Sequence, residues 1–532
     1  MNYLLKGDIS GIQEFIFNVQ SKGAAKTLKA RSYYVQILGY AACKLTLQKL
    51  DVEKEFYEGG GSFFIEFEAK NDDEASKKVK SIQDTINQFQ KEEDLLIRLA
   101  FVPIGSDGFE KAWLKLRKES NKQKQKFFGN HHPYFRPFEK TDTEKEAEKF
   151  PQAKKWIKKI SELPENNLYE ALTNIMVKKQ TILTNLLGIT FTEENARFDG
   201  ALINKLPFWE NYEEITAYKK YRETNKSLYA GDDELDGENI IDFDALGDFA
   251  QYRTGTNKLG ILKLDVDNLG QLFGASNEQN AKEYSKSFSE FFTRTIYEGL
   301  FASQSFGLND IQEEAYRANI YPIFTGGDDC FIIGGWDAIL CFTKDLHELF
   351  VHDSMLSKIR LDNKPISFSA GIVLVNPTHP VRHFVELAES ALTKAKADGK
   401  NKICVFDLTF SWADYKHILA TSKLLAVEMI TENISRAYLD KIRKSARGFN
   451  ALQNRDGADF DKIYKLRYYL SKKDNKLDKV VEALFDPYYE NLKSRLLDKN
   501  YRATYDVAIY PAIARVTEFL TKSKLKYETH SE

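Results

Sequence analysis

The strongest constraint on the fold of this 532-residue chain is a two-part pattern that occurs twice. Leu5-Lys-Gly-Asp-Ile-Ser-Gly-Ile-Gln resembles Leu262-Lys-Leu-Asp-Val-Asp-Asn-Leu-Gly, which pairs Asp8 with Asp265. Further along, Tyr57-Glu-Gly-Gly-Gly-Ser-Phe-Phe-Ile resembles Phe324-Thr-Gly-Gly-Asp-Asp-Cys-Phe-Ile. Each copy runs in the same order: strand, acidic strand end, helices, then a Gly-Gly hairpin. Self-similarity of this kind marks a duplicated structural unit. The copies differ where it matters chemically. Asp328 and Asp329 stand in the second copy where Gly61 and Ser62 stand in the first, so one copy is equipped for metal binding and the other is not.

The rest of the chain arranges itself around this duplication. Residues 3–9 and 62–68 read as strands flanking a helical stretch from Ile12 to Leu50, and strand and helix signals continue to about residue 118. From Glu119 to about Phe138 the composition shifts to Lys, Gln, Asn and His, the mark of a boundary or exposed connector. Residues 140–187 are charged and periodic, hence helical, and the acidic, turn-rich stretch Tyr229–Gly237 reads as a linker. The expected organisation is a first α/β unit over 1–118 and a mainly helical linker domain over 119–240. A second α/β unit covers 241–410, and a helical C-terminal domain covers 411–532. The fold class is α/β (α+β).

Bulk composition narrows the function classes. A hydrophobic fraction of 42% supports several buried cores. Lys+Arg 76 against Asp+Glu 78 leaves a net charge of -2, too balanced for a surface that wraps nucleic acid as a whole. Nucleic-acid contact is then a matter of local patches or partner subunits. The four cysteines, Cys43, Cys330, Cys341 and Cys404, form no C-x-x-C pair, which argues against a disulfide framework and a cysteine zinc site. No signal peptide opens the chain, and no apolar run is long enough to span a bilayer. A soluble cytoplasmic protein without membrane contact is expected.

The chemistry concentrates in the second copy. Transfer of a nucleotidyl group brings a hydroxyl to a phosphate that carries several negative charges, and two divalent cations can activate the one and hold the other. Magnesium takes oxygen ligands: carboxylates, backbone carbonyls and substrate phosphates. Leu259–Leu264 is an apolar strand that delivers Asp265 at its carboxyl end. Tyr321–Phe324 and Cys330–Ile333 are apolar strands bracketing Thr325-Gly-Gly-Asp-Asp, a hairpin whose glycines supply unusual backbone angles. If these strands are neighbours, Asp265, Asp328 and Asp329 meet at one edge, where they repel one another unless a cation lies between them. Asp267 and Asn268, in the next turn, are within reach of a ribose or a second metal.

A further strand, Ile366-Ser-Phe-Ser-Ala-Gly-Ile-Val, precedes a helix that carries Lys396, with Lys400 just beyond it. Both lysines can contact a triphosphate, and both can equally be solvated lysines favoured by the helix C-terminus. Other features do not assemble into sites. His131-His132 lacks companions at ligand spacing, and His352-Asp353 stands alone on a helix. The lysine runs at 154–159 and 522–526 read as solvated helix faces.

Gly7-Asp-Ile-Ser-Gly-Ile-Gln-Glu-Phe-Ile-Phe, followed by Gly23-Ala-Ala-Lys-Thr-Leu-Lys-Ala-Arg-Ser, resembles the opening of the first palm in the large subunit of type III CRISPR effector complexes. Asp265-Val-Asp-Asn-Leu-Gly and Gly326-Gly-Asp-Asp resemble that family's second, active palm. The stretch from Ala388 to Phe406 is similar to a segment shared with diguanylate cyclases. The resemblance implies two ferredoxin-like polymerase/cyclase palm domains in an RNA-guided complex. It implies an activity switched on by target RNA, in which ATP becomes a signalling nucleotide. Asp265, Val266, Asp328 and Asp329 would then be metal ligands for two Mg2+ or Mn2+ ions. Asn268, Gly326, Gly327, Ser369, Lys396 and Lys400 would bind nucleotide, with Gly60 and Gly61 of the first palm holding the second nucleotide.

Two departures from the family pattern shape the expectation. The palm motif begins at Gly7, so no nuclease domain and no DNA cutting are expected, and no cysteine zinc site is expected between the palms. In such a short form the product is a cyclic oligoadenylate, or AMP joined to another acceptor such as S-adenosylmethionine. Expected partners are the other subunits of the complex, and guide and target RNA largely through them. Two other readings stand beside this one: a diguanylate-cyclase-like enzyme, and a non-catalytic scaffold of the ribonucleoprotein. The reaction calls for no nucleophilic Cys or Ser-His pair, because phosphoryl chemistry of this type rests on positioning and charge neutralisation.

Overall fold

The computed structural model describes residues 1–17, 24–53, 55, 57–89, 95–106, 108–126, 187, 243–301, 305–307, 314–326, 329–431, 435–440, 443 and 509–522. The linker expected at 119–240 and the stretch 444–508 therefore lie almost wholly outside the described residues, as do His131 and His132.

The first palm contains β1 (Asn2–Ser10), α1 (Ile12–Phe17), α2 (Ala24–Leu50), β2 (Tyr57–Gly59), β3 (Ser62–Glu68), α3 (Asp72–Phe89), β4 (Leu96–Pro103) and α4 (Gly108–Lys126). Its strands pair antiparallel in the order β2-β3-β1-β4, the ferredoxin-like arrangement. In β3 every second residue is buried, the period-two signature of a sheet with one face on the core. Helix α4 corrects one expectation. Glu119–Lys126, read from composition as a connector, continues this helix, because Trp113, Leu116 and Ser120 keep one face buried while the lysines and glutamines face outward.

The second palm opens with α5 (Phe243–Thr254) and continues with β5 (Leu259–Val266), α6 (Leu269–Gly274) and α7 (Glu278–Glu290). Helix α7 runs on into π-helical turns at Phe291–Thr295 and Tyr297–Phe301. A short ribbon of β6 (Ser305–Phe306) and β7 (Glu314–Ala315) and the turn α8 (Tyr316–Asn319) follow, then β8 (Ile320–Gly326), β9 (Asp329–Gly335) and α9 (Trp336–His352). After a second ribbon, β10 (Arg360–Leu361) with β11 (Lys364–Pro365), come β12 (Phe368–Val375), α10 (Arg382–Ala397), β13 (Lys402–Val405) and β14 (Leu408–Ser411). The six-stranded sheet has the order β14-β13-β12-β5-β9-β8. Four consecutive strands ending at the β8 edge, β12-β5-β9-β8, repeat β4-β1-β3-β2 of the first palm, so the duplication seen in the sequence is a duplication of topology. Beyond it, α11 (Trp412–Thr431) and α12 (Ile509–Leu520) pack together and close one end of the core.

The two palms share their interior. Both large hydrophobic clusters draw residues from each copy. An aromatic ladder crosses the boundary, with Phe64 of β3 stacked on Trp113 of α4 at 4.6 Å and Trp113 stacked on Phe273 of α6 at 5.3 Å. Ser32 and Tyr321 tie backbone across the same boundary, donating to the carbonyls of Ile323 and Ala25 at 2.8 and 2.9 Å. Among the described residues no helix is long and apolar enough to cross a membrane.

Candidate active site

The register of the central strands places the acidic residues. Asp265, at the end of β5, pairs directly with Asp329, the first residue of β9, and Asp329 pairs in turn with Gly326 of β8. The first palm has the same register with different chemistry: Asp8 pairs with Ser62, and Ser62 with Gly59. The core behind each pair is adjusted by size. Gly7 lies against Phe63, where a Cβ would fall 2.1 Å from the ring, whereas the equivalent pair in the second palm is Leu264 and Cys330. Gly327 and Asp328 lie outside the described residues.

The hairpin and strand end are each braced from behind. Thr325 is buried, and its hydroxyl meets that of Tyr297, in the π-helical segment, at 2.8 Å. Across the palm boundary the two glycine hairpins face each other. A Cβ on Gly60 would lie 3.6 Å from the Gly326 carbonyl, and one on Gly326 would lie 3.7 Å from the Gly60 nitrogen. Gly60 and Gly61 both adopt positive φ, at 58° and 78°, a conformation that favours glycine.

Lys396 and Lys400 both reach back to the strand end. Helix α10 sits directly on β12 because Gly371 has no side chain there; a Cβ would lie 2.4 Å from the Leu392 nitrogen. This close approach aims Lys396 at Asp265, with Nζ 2.6 Å from Oδ2. Burial is the leading influence on Asp265 and holds its carboxyl above the ordinary value, against the opposing pull of Lys396. Lys400 adopts a left-handed conformation and donates to the Asn268 side chain. Asn268 is itself left-handed, at φ 60°, where the chain turns from β5 into α6.

Two expectations need correction. Asp267 does not face open space. Its carboxylate accepts from the Ser367 and Ser369 hydroxyls at 2.8 and 2.7 Å and from the Asn401 backbone N–H at 2.9 Å, and the residue is 6% exposed. Ser369, expected to touch a nucleotide, is fully buried, and its hydroxyl is directed to Asp267. The reason is the pleat: Ser369 pairs with Asp265 across β12 and β5, beside the turn that folds Asp267 inward. Of the features set aside, His352 caps the end of α9 through the Glu348 carbonyl, and Asp353 accepts from the Met355 and Leu356 nitrogens.

A cavity of about 290 Å³ opens between the palms. The first palm contributes Lys6, Tyr57, Gly60 and Ser62, helix α4 contributes Trp113 and Arg117, and α6 and α7 supply an apolar floor including Phe273 and Phe288. A pocket that combines flat apolar walls with a few cations suits a nucleoside bearing phosphates. Apart from Gly60, the sequence did not point to these residues, because they are brought together from segments of the two palms more than 150 positions apart.

Comparisons with known proteins agree with this geometry. Residues 258–404 match the model of the Cas10/Cmr2 second palm domain, and residues 1–140 match that of Csm1 subunit domain B. The chain belongs to the Cas10/Csm1 family. A relative from Methanocaldococcus jannaschii, named a CRISPR system single-strand-specific deoxyribonuclease Cas10/Csm1 (subtype III-A), is 27% identical over 485 residues, covering 77% of this chain and 59% of the relative. The chain thus spans about three-fifths of that relative's length. Among solved structures, a Csm1–Csm4 cassette in complex with cA4 aligns with a TM-score of 0.65 at 18% identity. The cassette in complex with AMPPNP aligns with a TM-score of 0.63 at 18% identity. These cover 98% of this chain and 70% and 69% of those chains, and they establish the family fold.

Proposed function

We propose that this chain is the nucleotidyltransferase subunit of a type III CRISPR complex, and that its second palm transfers the adenylyl group of ATP to a hydroxyl acceptor. The observation that carries the reading is the direct pairing of Asp265 with Asp329 at a strand end that Lys396 also reaches. Support comes from the cassette structures solved in complex with AMPPNP and with cA4. In those structures Csm1 is joined to Csm4, which makes an equivalent subunit the expected neighbour of this chain.

The donor set suits a hard divalent cation such as Mg2+ or Mn2+. It offers carboxylate oxygens from Asp265 and Asp329 and the carbonyl of Val266, with no competing sulfur or imidazole. Among the described residues no group of three His, Cys, Asp or Glu forms a complete metal site, and Asp328 lies outside them. Two such ions, when bound, supply charge neutralisation of the triphosphate and activation of the attacking hydroxyl. The chain's own residues do the positioning. Asp267 pins the turn that presents the Val266 carbonyl and Asn268, Lys396 and Lys400 bring positive charge to the strand end, and the cavity between the palms offers room for a nucleotide. The acceptor hydroxyl attacks the α-phosphate in line, and pyrophosphate leaves with the electron pair of the broken bond.

The test is incubation of the assembled complex with labelled ATP, Mg2+ or Mn2+ and matching target RNA, with S-adenosylmethionine in half the reactions. Products are resolved by mass spectrometry. A new adenylate that is absent from the Asp328→Ala/Asp329→Ala variant supports the synthase, and its mass separates a cyclic oligoadenylate from an S-adenosylmethionine conjugate. Turnover of GTP in place of ATP would favour the cyclase-like alternative. Unreacted ATP under every condition sinks the enzymatic reading and leaves a scaffold.

A further inference from the structure

The first palm keeps its strand-end aspartate, yet surrounds it with cations of its own. Lys6 Nζ lies 3.0 Å from Asp8 Oδ1, and Lys124, near the end of α4, pairs with Asp8 Oδ2. The Ser62 hydroxyl donates to Asp8 Oδ1 at 2.8 Å. Lys124 is the positional counterpart of Lys396. Arg98 pairs with Asp8 as Ser369 pairs with Asp265, Lys124 follows Arg98 by 26 positions, and Lys396 follows Ser369 by 27. Each lysine comes from the helix that follows the fourth strand of its own palm.

The two strand ends therefore have opposite charge character. In the second palm Lys396 meets Asp265, whose strand neighbour Asp329 is a second acid. In the first, a single carboxylate faces two ammonium groups, and Ser62 stands in place of the second acid. Such a site has no use for a divalent cation and carries surplus positive charge. Lys6 also lines the cavity between the palms beside Gly59 and Gly60, and Arg117 lines the same cavity from α4. Lys6 therefore brings its charge to open space next to the glycine hairpin that faces Gly326, and Lys124, outside the cavity lining, offsets the Asp8 carboxylate behind it.

We propose that Lys6 and Lys124 are fixed cations that replace the divalent ion in the first palm, where they bind the polyphosphate of the acceptor nucleotide without metal. This rests on the synthase reading for the identity of the nucleotide. Asp8 then holds the two ammonium groups in place until phosphate oxygens share them. An anion drawn to this end gains charge-assisted hydrogen bonds, while the second palm requires its ions to bind the same group. One site in the enzyme is metal-dependent and the other is not.

The experiment measures equilibrium binding of labelled ATP and of adenosine to the full chain in excess EDTA. It uses a background of Asp265→Asn/Asp329→Asn/Lys396→Ala/Lys400→Ala, which removes the two paired acids and both lysines that reach the second palm's strand end. ATP is expected to bind at least about tenfold tighter than adenosine, the ratio that one charge-assisted hydrogen bond supplies. Adding Asp8→Asn/Lys6→Ala/Lys124→Ala, which leaves no orphaned carboxylate, is expected to lower that preference several-fold, Arg117 remaining, while the melting temperature stays near the parent value. Asp8→Asn alone is expected to tighten ATP binding, because the carboxylate no longer competes for the lysines. A purely structural ion cluster predicts no gain. Equal binding of ATP and adenosine in the parent, or unchanged ATP binding in the triple variant, overturns the proposal. Failure of the complex to consume ATP would sink the synthase reading and leave this binding result standing.

Discussion

In both palms a lysine from the helix after the fourth strand reaches the aspartate that ends the first strand, but the surroundings send the two aspartates in opposite directions. Asp8 is 6% exposed and held between Lys6 and Lys124. Burial alone would raise its carboxyl, yet the two lysines outweigh burial and hold it below its ordinary value. Asp265 has a more open side chain, at 30% exposure, with Lys396 in direct contact, and burial holds it above its ordinary value. A duplicated fold thus keeps its backbone register and changes its chemistry through single substitutions at the strand end. The comparison teaches that an acid which looks conserved between repeats need not keep its role, because neighbours decide whether it attracts a metal or satisfies lysines.

The sharpest way to break this contrast is to neutralise each aspartate in turn. On the proposed function, Asp265→Asn is expected to lower pyrophosphate release from ATP by roughly 100-fold or more, because the proposed metal ligand is lost. Asp8→Asn should change the same rate by less than about tenfold, since no ion depends on it. Equal losses from the two variants would show that the palms share one mechanism.

Stability offers the reverse contrast. Lys124→Ala leaves the buried Asp8 with Lys6 alone, and should cost about 1–2 kcal/mol in urea unfolding, discounted because Lys124 is itself more than a third exposed. Lys396→Ala should cost less, because Asp265 can still reach water. The pH dependence of unfolding sharpens the point. Asp8 has a folded value below its unfolded one, so its contribution is complete above the ordinary carboxylate range. It is lost as pH falls through the lower folded value. Acid titration of the Asp8→Asn variant should therefore show a shallower loss of stability below about pH 4 than the parent.

The smallest expected effect belongs to the brace behind the second site. Ser369→Ala removes one of three hydrogen bonds to Asp267 and should cost about 1 kcal/mol, with a several-fold loss of activity as the turn at Asn268 loosens. A loss as large as that of Asp265→Asn would mean that Ser369 contacts the substrate after all.

Strand ends and glycine hairpins were legible in the sequence because they depend on local chemistry: apolar runs, turn glycines and the order in which they occur. Leu259–Leu264 with Asp265, the Gly-Gly hairpins and the alignment of Asp329 with Ser62 all follow from patterns that adjacent residues impose on the backbone. The correspondence of Lys124 with Lys396 was also present as spacing, but it lay in a segment whose polar composition read as connector. Composition misleads there because a helix packed on one face can carry lysines and glutamines on all the others.

What only the tertiary structure decided is where long side chains and distant segments meet. Whether Lys396 and Lys400 were solvated or turned back on the strand end depended on how closely α10 approaches β12, which Gly371 sets through a contact with Leu392. Whether Asp267 faced a ligand or the interior depended on two serines one hundred positions away. The cavity between the palms has no sequence signature at all, since Lys6, Trp113 and Phe273 become neighbours only when the two copies dock. Local pattern determines which way a backbone runs and turns. Packing between elements far apart in the chain determines which charges share a site, and that is where the two palms part.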